Sequence, residues 1–309
     1  MKKIITGFIV FVLLFMGAVY LFIPNIIKLK SSAGINTTRT GLNRMLLDKT
    51  NVTKWWPGKI SNDSFYLNDF IYTINNSNIT VMPIFIADKK VTISTSLFLI
   101  EIRTDFTNLE WVGAMASSYN PFKRIAACFK AKKIEADMQT VLNKMETFYN
   151  VSENIYGFEI KKELVMDSTL IQTSATSNGY PTNQFIYNLV DKLINYAANN
   201  NAKKTGYPML NINETDSVNF TIKVAIPVDK PLPNSGDILQ KRMLGRGNIL
   251  VTEVKGGNDI AAKAIIQMKR YADDYKRVAP AIPFYSLITD RLKETDSSKW
   301  ITKIYYPVM

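Results

Sequence analysis

Lys223 and Lys303 occupy the same place in two copies of one fifteen-residue segment, ETDSVNFTIKVAIPV (214–228) and ETDSSKWITKIYYPV (294–308). Seven positions are identical without a gap: Glu214/Glu294, Thr215/Thr295, Asp216/Asp296, Ser217/Ser297, Lys223/Lys303, Pro227/Pro307 and Val228/Val308. Repetition at such a period marks a duplicated structural unit. Two copies of one unit meet around a pseudo-two-fold axis, and the cleft between them is the natural place for a ligand. If both lysines face that cleft, their ammonium groups would receive an anionic or carboxylate-bearing ligand. Alternatively, crowding of like charge would lower one lysine's pKa and make it a base or nucleophile. A third reading has both lysines snorkel to the rim and pair with Glu214, Glu253 or Glu294.

Other chemistry is excluded by composition. The 309 residues include no histidine, which removes Ser-His-Asp and Cys-His catalysis and His-ligated zinc or iron. The single cysteine, Cys128, forms no internal disulfide and no metal cluster, and its AACFK setting reads as a small core position. No Walker A, G-x-G-x-x-G, H-E-x-x-H or EF-hand pattern occurs, so no cofactor and no metal is implied. The net charge of +12 is scattered. Its densest run, Lys123, Arg124, Lys130, Lys132 and Lys133, reads as the solvated face of an amphipathic helix or as attraction to anionic lipid. Nothing accompanies it that would indicate nucleic-acid binding.

The elements that must position the lysines follow from periodicity. Residues 4–27 carry no charge and are long enough to cross a bilayer; they read as an uncleaved signal anchor, with a cleaved leader as the alternative. Lys2 and Lys3 on one flank balance Lys28 and Lys30 on the other, so orientation stays open, with a lean to soluble parts outside the cytoplasm. Residues 28–40 read as a polar tether, and 40–56 as a helix closed by the Trp55-Trp56-Pro57-Gly58 corner. Strands are expected at 70–74, 79–86, 91–104 and 109–115. Asn120-Pro121 starts a long helix over 121–149, with an apolar stripe running from Phe122, Ile125 and Phe129 to Ile134, Met138, Val141, Met145 and Phe148. Beyond it, each repeat reads strand, helix, strand, strand. Thr182 caps the first helix, Asn258 or Asp259 the second, and the Pro/Gly-rich stretch 229–237 links the copies.

Helix, antiparallel strands and a closing long helix over residues 30–150 resemble the SRPBCC (START-like, polyketide-cyclase-like) helix-grip domain. That resemblance implies an apolar cavity, for which Trp55, Trp56, Phe98 and Trp111 are the candidate lining. The tandem βαββ pattern over 151–309, with repeats at about 155–230 and 245–309, resembles the GyrI-like effector-binding domain of bacterial regulators. The resemblance rests on VTEVKGG (251–257) and TKIYYPV (302–308). It implies a small-molecule cleft between the repeats, with Lys223, Lys303, Tyr305, Tyr207, Tyr285, Trp300 and Glu253 as candidate ligand contacts. Members of that family carry a glutamate four residues before the final proline; here Lys303 stands there.

The fold class expected is therefore α+β: a membrane anchor at 1–29, a helix-grip domain at 30–150 and a pseudo-two-fold domain at 151–309. The expected function is binding of an apolar or anionic small molecule by a protein anchored in the bacterial inner membrane. An enzyme of hydrolase or cyclase type using Lys, Tyr and Glu in the cleft, and a scaffold with filled pockets, are the alternatives. Oligomeric state is not readable.

Overall fold

The computed structural model describes residues 2–62, 64–75, 81–89, 91–166, 168–216, 218–243 and 245–309. Ser217 of the first repeat copy and residues 79–80 of the expected 79–86 strand lie outside the described residues. The fold is α+β, and the chain divides into two compact units, Met1–Val151 and Ser152–Met309.

The first unit begins with helix α1 (Lys2–Phe22), of which Ile4–Phe22 is long and apolar enough to cross a membrane. The helix stops short of the expected residue 27, because Pro24 breaks it and Ile26 already opens a strand. Three bonds fix its exit: Arg124 Nε donates to Ile23 O at 2.7 Å, Ser117 Oγ to Pro24 O at 2.8 Å and Tyr20 OH to Tyr119 O at 2.5 Å.

The expected tether at 28–40 is instead largely strand β1 (Ile26–Ile35), paired along its whole length with β7 (Phe106–Ala116). Its inward positions are Leu29, Ser31, Ala33 and Ile35, half of them small or polar, which disguises the alternation. Two short helices, α2 (Arg39–Leu47) and α3 (Lys49–Val52), follow. Strands β2 (Lys59–Ser61), β3 (Ser64–Leu67), β4 (Phe70–Ile74), β5 (Val81–Ala87) and β6 (Thr92–Arg103) complete an antiparallel sheet of order β1-β7-β6-β5-β4-β3-β2.

Helix α4 (Pro121–Tyr149) is capped by Asn120, whose side-chain oxygen accepts from Phe122 N and Lys123 N. Ile134, Met138, Val141, Leu142 and Met145 form its buried stripe. Each such side chain is worth about 1.5–3 kcal/mol of burial. The stripe does not extend to Phe122 and Phe129, which stay largely exposed; in that first third Arg124 is buried instead, its guanidinium over the Tyr20 ring.

Gly58 in the Trp-Trp-Pro-Gly corner has no room for a side chain: a Cβ there would lie 1.8 Å from the Tyr66 carbonyl oxygen. Since backbone rather than a flexible side chain blocks the space, Gly58→Ala is expected to destabilise the unit by about 1–3 kcal/mol. A lower urea midpoint checks it; an unchanged midpoint would show the corner to be looser than this packing.

Asp137 of α4 is 4% exposed and accepts from Asn68 Nδ2 at 2.5 Å and from Tyr72 OH at 3.0 Å. Burial raises its pKa, against the pull of those two bonds. A raised folded-state pKa means that the native state holds this proton more tightly than the unfolded chain does. The stability this group contributes is present below the unfolded carboxylate pKa and is lost as pH rises through the folded value. Asp137→Asn is therefore expected to gain on wild type as pH rises across that window, with the gap constant above it. Urea midpoints of both proteins over a pH series read the gap, and a gap that shrinks with rising pH would refute the assignment.

The second unit opens with the short helix α5 (Glu153–Tyr156) and carries the repeat. The first copy comprises β9 (Ser168–Asn178), α6 (Asn183–Asn199), β10 (Met209–Glu214) and β11 (Asn219–Val228). The second comprises β13 (Asn248–Lys255), α7 (Asn258–Asp274), β14 (Phe284–Leu287) and β15 (Ile301–Val308). Two further strands, β8 (Lys161–Leu164) and β12 (Leu239–Met243), precede the copies, and each crosses to the other one. Strand β8 pairs with β13, and β12 with β9. The resulting order, β12-β9-β11-β10-β14-β15-β13-β8, reads the same from either end once the copies are exchanged.

The cross-strand pair Leu210–Tyr285 lies on the pseudo-axis. Helix α6 packs on one sheet face through Ile186, Val190, Leu193 and Ala197, against Ile171, Ile222, Val224 and Ile226. Thr182 caps α6, accepting from Phe185 N at 3.2 Å. The expected cap of α7 differs: Gly257 stands at the N-cap, and the Asn258 side chain accepts from Arg291 Nη1.

Candidate functional site

On the sheet face away from α6 and α7, strand alternation sets Lys223 and Ala225 of β11 beside Asn211 and Met209 of β10 and Ser174 and Gln172 of β9. Over part of this floor lies a cavity of about 820 Å³. Met209, Leu170, Ile249, Ile282, Phe284 and Met243 give it apolar walls. Its charged side chains are Lys223 and Arg242, and among the described residues no Asp or Glu side chain lines it. Lys223 forms no ion pair with any described carboxylate.

The same positions in the second copy look different. Lys303 faces Glu253 across β15 and β13, with Nζ 3.7 Å from Oε2 and both side chains about half exposed. Tyr305 stacks on Phe284 with ring centroids 4.9 Å apart. Pseudo-symmetry therefore matches Ala225 with Tyr305, Met209 with Phe284 and Ser174 with Glu253. Small or flexible residues leave space in the first copy and leave Lys223 without an acid. The stacked rings fill that space in the second copy, and Glu253 neutralises Lys303. An exposed pair of this kind is worth about 0–1 kcal/mol, so it settles charge more than stability.

Lys223 and Lys303 share a face but are three strand spacings and an offset of two residues apart, roughly 15 Å. They do not meet. Tyr305 and Tyr207 line a smaller neighbouring cavity of about 290 Å³, together with Glu163. Burial raises the Tyr305 phenol and Lys303 pulls it back.

Two of the expected contacts lie on the other face. Tyr285 is opposite Leu210 and lines a third cavity, of about 220 Å³, on the helix side. Trp300 is buried under the Arg291 guanidinium, 4.6 Å from ring centroid to Cζ, and its Nε1 donates to Glu294 O. Neither reaches Lys223. Arg242 was not anticipated. The available signal was the pair of cation-bearing segments KKEL (161–164) and LQKRM (239–243), each leading into a repeat copy.

In the first unit, Trp55, Trp56 and Trp111 are buried and pack in series with Tyr72 and Tyr149. Trp55 Nε1 donates to Tyr149 OH at 2.8 Å and Trp111 Nε1 to Thr95 Oγ1 at 2.8 Å, which is how buried indoles are satisfied. Phe98 does not join them. It lies on the opposite face of β6 from the buried Leu97 and Leu99, because alternation turns it outward. Among the described residues no cluster of three or more metal-ligating side chains occurs.

No family model matches the chain, and no curated protein matches it. Solved structures do. A match to the C-terminal domain of EcmrR covers 49% of this chain and 98% of that domain, at 17% identity and a TM-score of 0.40. A hydrolase from Listeria innocua matches over 48% of this chain and 91% of its own, at 10% identity and a TM-score of 0.37. SAV2435 bound to tetraphenylphosphonium matches over 49% and 94%, at 20% identity and a TM-score of 0.32.

Proposed function

We propose that this is a membrane-anchored binding protein whose C-terminal unit takes an amphipathic anion in the Lys223 cavity and performs no reaction on it. The observation that carries the proposal is a mostly apolar cavity of about 820 Å³ whose charged side chains, Lys223 and Arg242, are both cationic. Pockets of that size suit drug-sized ligands, with a few polar groups fixing orientation. Lys223, half-buried and in no ion pair with a described carboxylate, is matched by a ligand carboxylate, sulfonate or phosphate. A ligand cation would meet like charge there.

The resemblance of the repeat to GyrI-like effector-binding domains supports a small-molecule role, with ligand charge reversed from that implied by the family's glutamate. The sheet order of the first unit, closed by α4, supports the SRPBCC-like reading, but there the indoles and tyrosines pack on one another. The apolar α1 supports anchoring. Tyr119 and Phe122, both largely exposed, lie beside the end of α1 together with Lys123, the composition of a membrane interface.

The catalytic reading has less support, since lysines roughly 15 Å apart do not share one site and neither crowds the other's charge. Native mass spectrometry of the detergent-solubilised chain tests the proposal. A co-purified acidic amphiphile, or stoichiometric uptake of an added one, is expected; a spectrum of unliganded protein at every added concentration would defeat it.

A further inference from the structure

The two repeat copies differ in length at one place. Helices α6 and α7 begin 75 positions apart, the final lysines stand 80 apart, and the additional residues fall in the β14–β15 hairpin. That hairpin carries Arg291, which is 5% exposed. Its Nη1 donates to Asn258 Oδ1 at 2.8 Å and its Nη2 to Thr302 Oγ1 at 2.9 Å, while the guanidinium stacks on Trp300. Nε is buried and donates to nothing among the described residues. No described carboxylate forms an ion pair with Arg291. Its neighbour Asn258 is the first residue of α7, so this cation sits at the positive end of a helix dipole, where another positive charge is disfavoured.

Arg291 lines the helix-side cavity of about 220 Å³ together with Tyr180 and Tyr285. Neither phenol hydroxyl has a hydrogen-bond partner among the described residues. Burial raises both phenols, and the Arg291 charge acts on both in the opposite direction, which places all three groups in one field. Leu210, Ile212 and Phe220 supply apolar wall, and Glu214 stands exposed at the edge. A buried cation with an unused N–H and two tyrosines whose hydroxyls have no described partner line one small hollow, with no described acid paired to the cation. Buried charges are paired or hydrogen-bonded on all sides, and this one is not yet complete.

We propose that the cavity between Arg291, Tyr180 and Tyr285 is a second binding site, for a small monocarboxylate with a flat apolar body. The carboxylate accepts from Arg291 Nε and the two phenols, and the body lies against Leu210, Ile212 and Phe220. The site is on the opposite sheet face from Lys223 and does not rest on the proposed function.

Equilibrium dialysis of benzoate against the full chain in nanodiscs, with empty nanodiscs as blank, tests it. In a Lys223→Glu background, which removes the anion site on the other sheet face, saturable binding of one benzoate is expected. Arg291→Gln should weaken it roughly tenfold or more, the worth of a charge-assisted hydrogen bond. Ala262→Phe should also abolish it, by filling the cavity while every bond of Arg291 stays intact, and so decides the matter if Arg291→Gln does not fold. Absence of saturable binding, or binding that survives Ala262→Phe, would overturn the proposal. Uptake seen only in Glu214→Gln would overturn it too, by showing that Glu214 is the natural occupant.

Discussion

Lys223→Glu is expected to weaken binding of an amphipathic anion about 100-fold, close to 3 kcal/mol. Two contributions add. Removing the ammonium forfeits a charge-assisted hydrogen bond of about 1.5–3 kcal/mol. The new carboxylate then opposes the ligand's charge inside mostly apolar walls, where like charge costs more than in water. Arg242 remains and limits the loss. The matching change in the other copy is the control. Lys303→Glu would set two glutamates side by side across β15 and β13, costing about 0.2–1 kcal/mol of stability. It should leave the anion's affinity nearly unchanged, because Lys303 lies outside the cavity lining. Calorimetric titration of both variants separates the copies, and equal losses would mean that the lysines act as one site after all.

Trp111→Ala carries the largest expected effect on stability, about 3–5 kcal/mol for an indole removed from a core. Trp111 is wholly buried, its ring lies 6.1 Å from Tyr72, and its Nε1–H is satisfied by Thr95. With a domain's total stability at about 5–15 kcal/mol, a loss of that size leaves the first unit marginal. Phe98→Ala makes the comparison, since the ring faces away from this core and its removal should cost far less. A fall in the urea midpoint for Trp111→Ala that Phe98→Ala does not share is the expected result. Two equal and small shifts would mean that the indole lines a void that collapses easily, in keeping with a cavity rather than a filled core.

How much of this was legible depended on whether the signal was local. The long helix 121–149 was readable end to end because Asn120-Pro121 caps it and the stripe from Ile134 to Met145 repeats every three or four residues. The duplication was readable because seven identities survive in fifteen positions. Strand β1 was not, since Ser31 and Ala33 occupy its inward face and a strand that buries small residues looks like a linker. The exchanged strands β8 and β12 were hidden for another reason: they pair with the copy they do not precede, and no local pattern encodes a partner so far away in sequence.

At the site, residue type was legible and neighbourhood was not. That Lys223 and Lys303 share a face follows from alternation. That Ala225 and Ser174 leave one cationic and open while Tyr305 and Glu253 close and neutralise the other requires the register of four strands. Trp300 precedes β15 on the parity of Ile304, and alternation alone already set it on the opposite face from Lys303. Arg291 gave no signal, because a lone arginine in a polar hairpin ordinarily remains in water.

The most direct measurement is a paired calorimetric titration of the nanodisc-embedded chain with 2-naphthalenesulfonate and with tetraphenylphosphonium, two amphipathic ions of opposite charge. Wild type should bind the sulfonate saturably and the phosphonium not at all, with the preference collapsing in Lys223→Glu. Tighter binding of the phosphonium by wild type, or a preference that Lys223→Glu leaves untouched, would contradict a cavity whose charge selects anions.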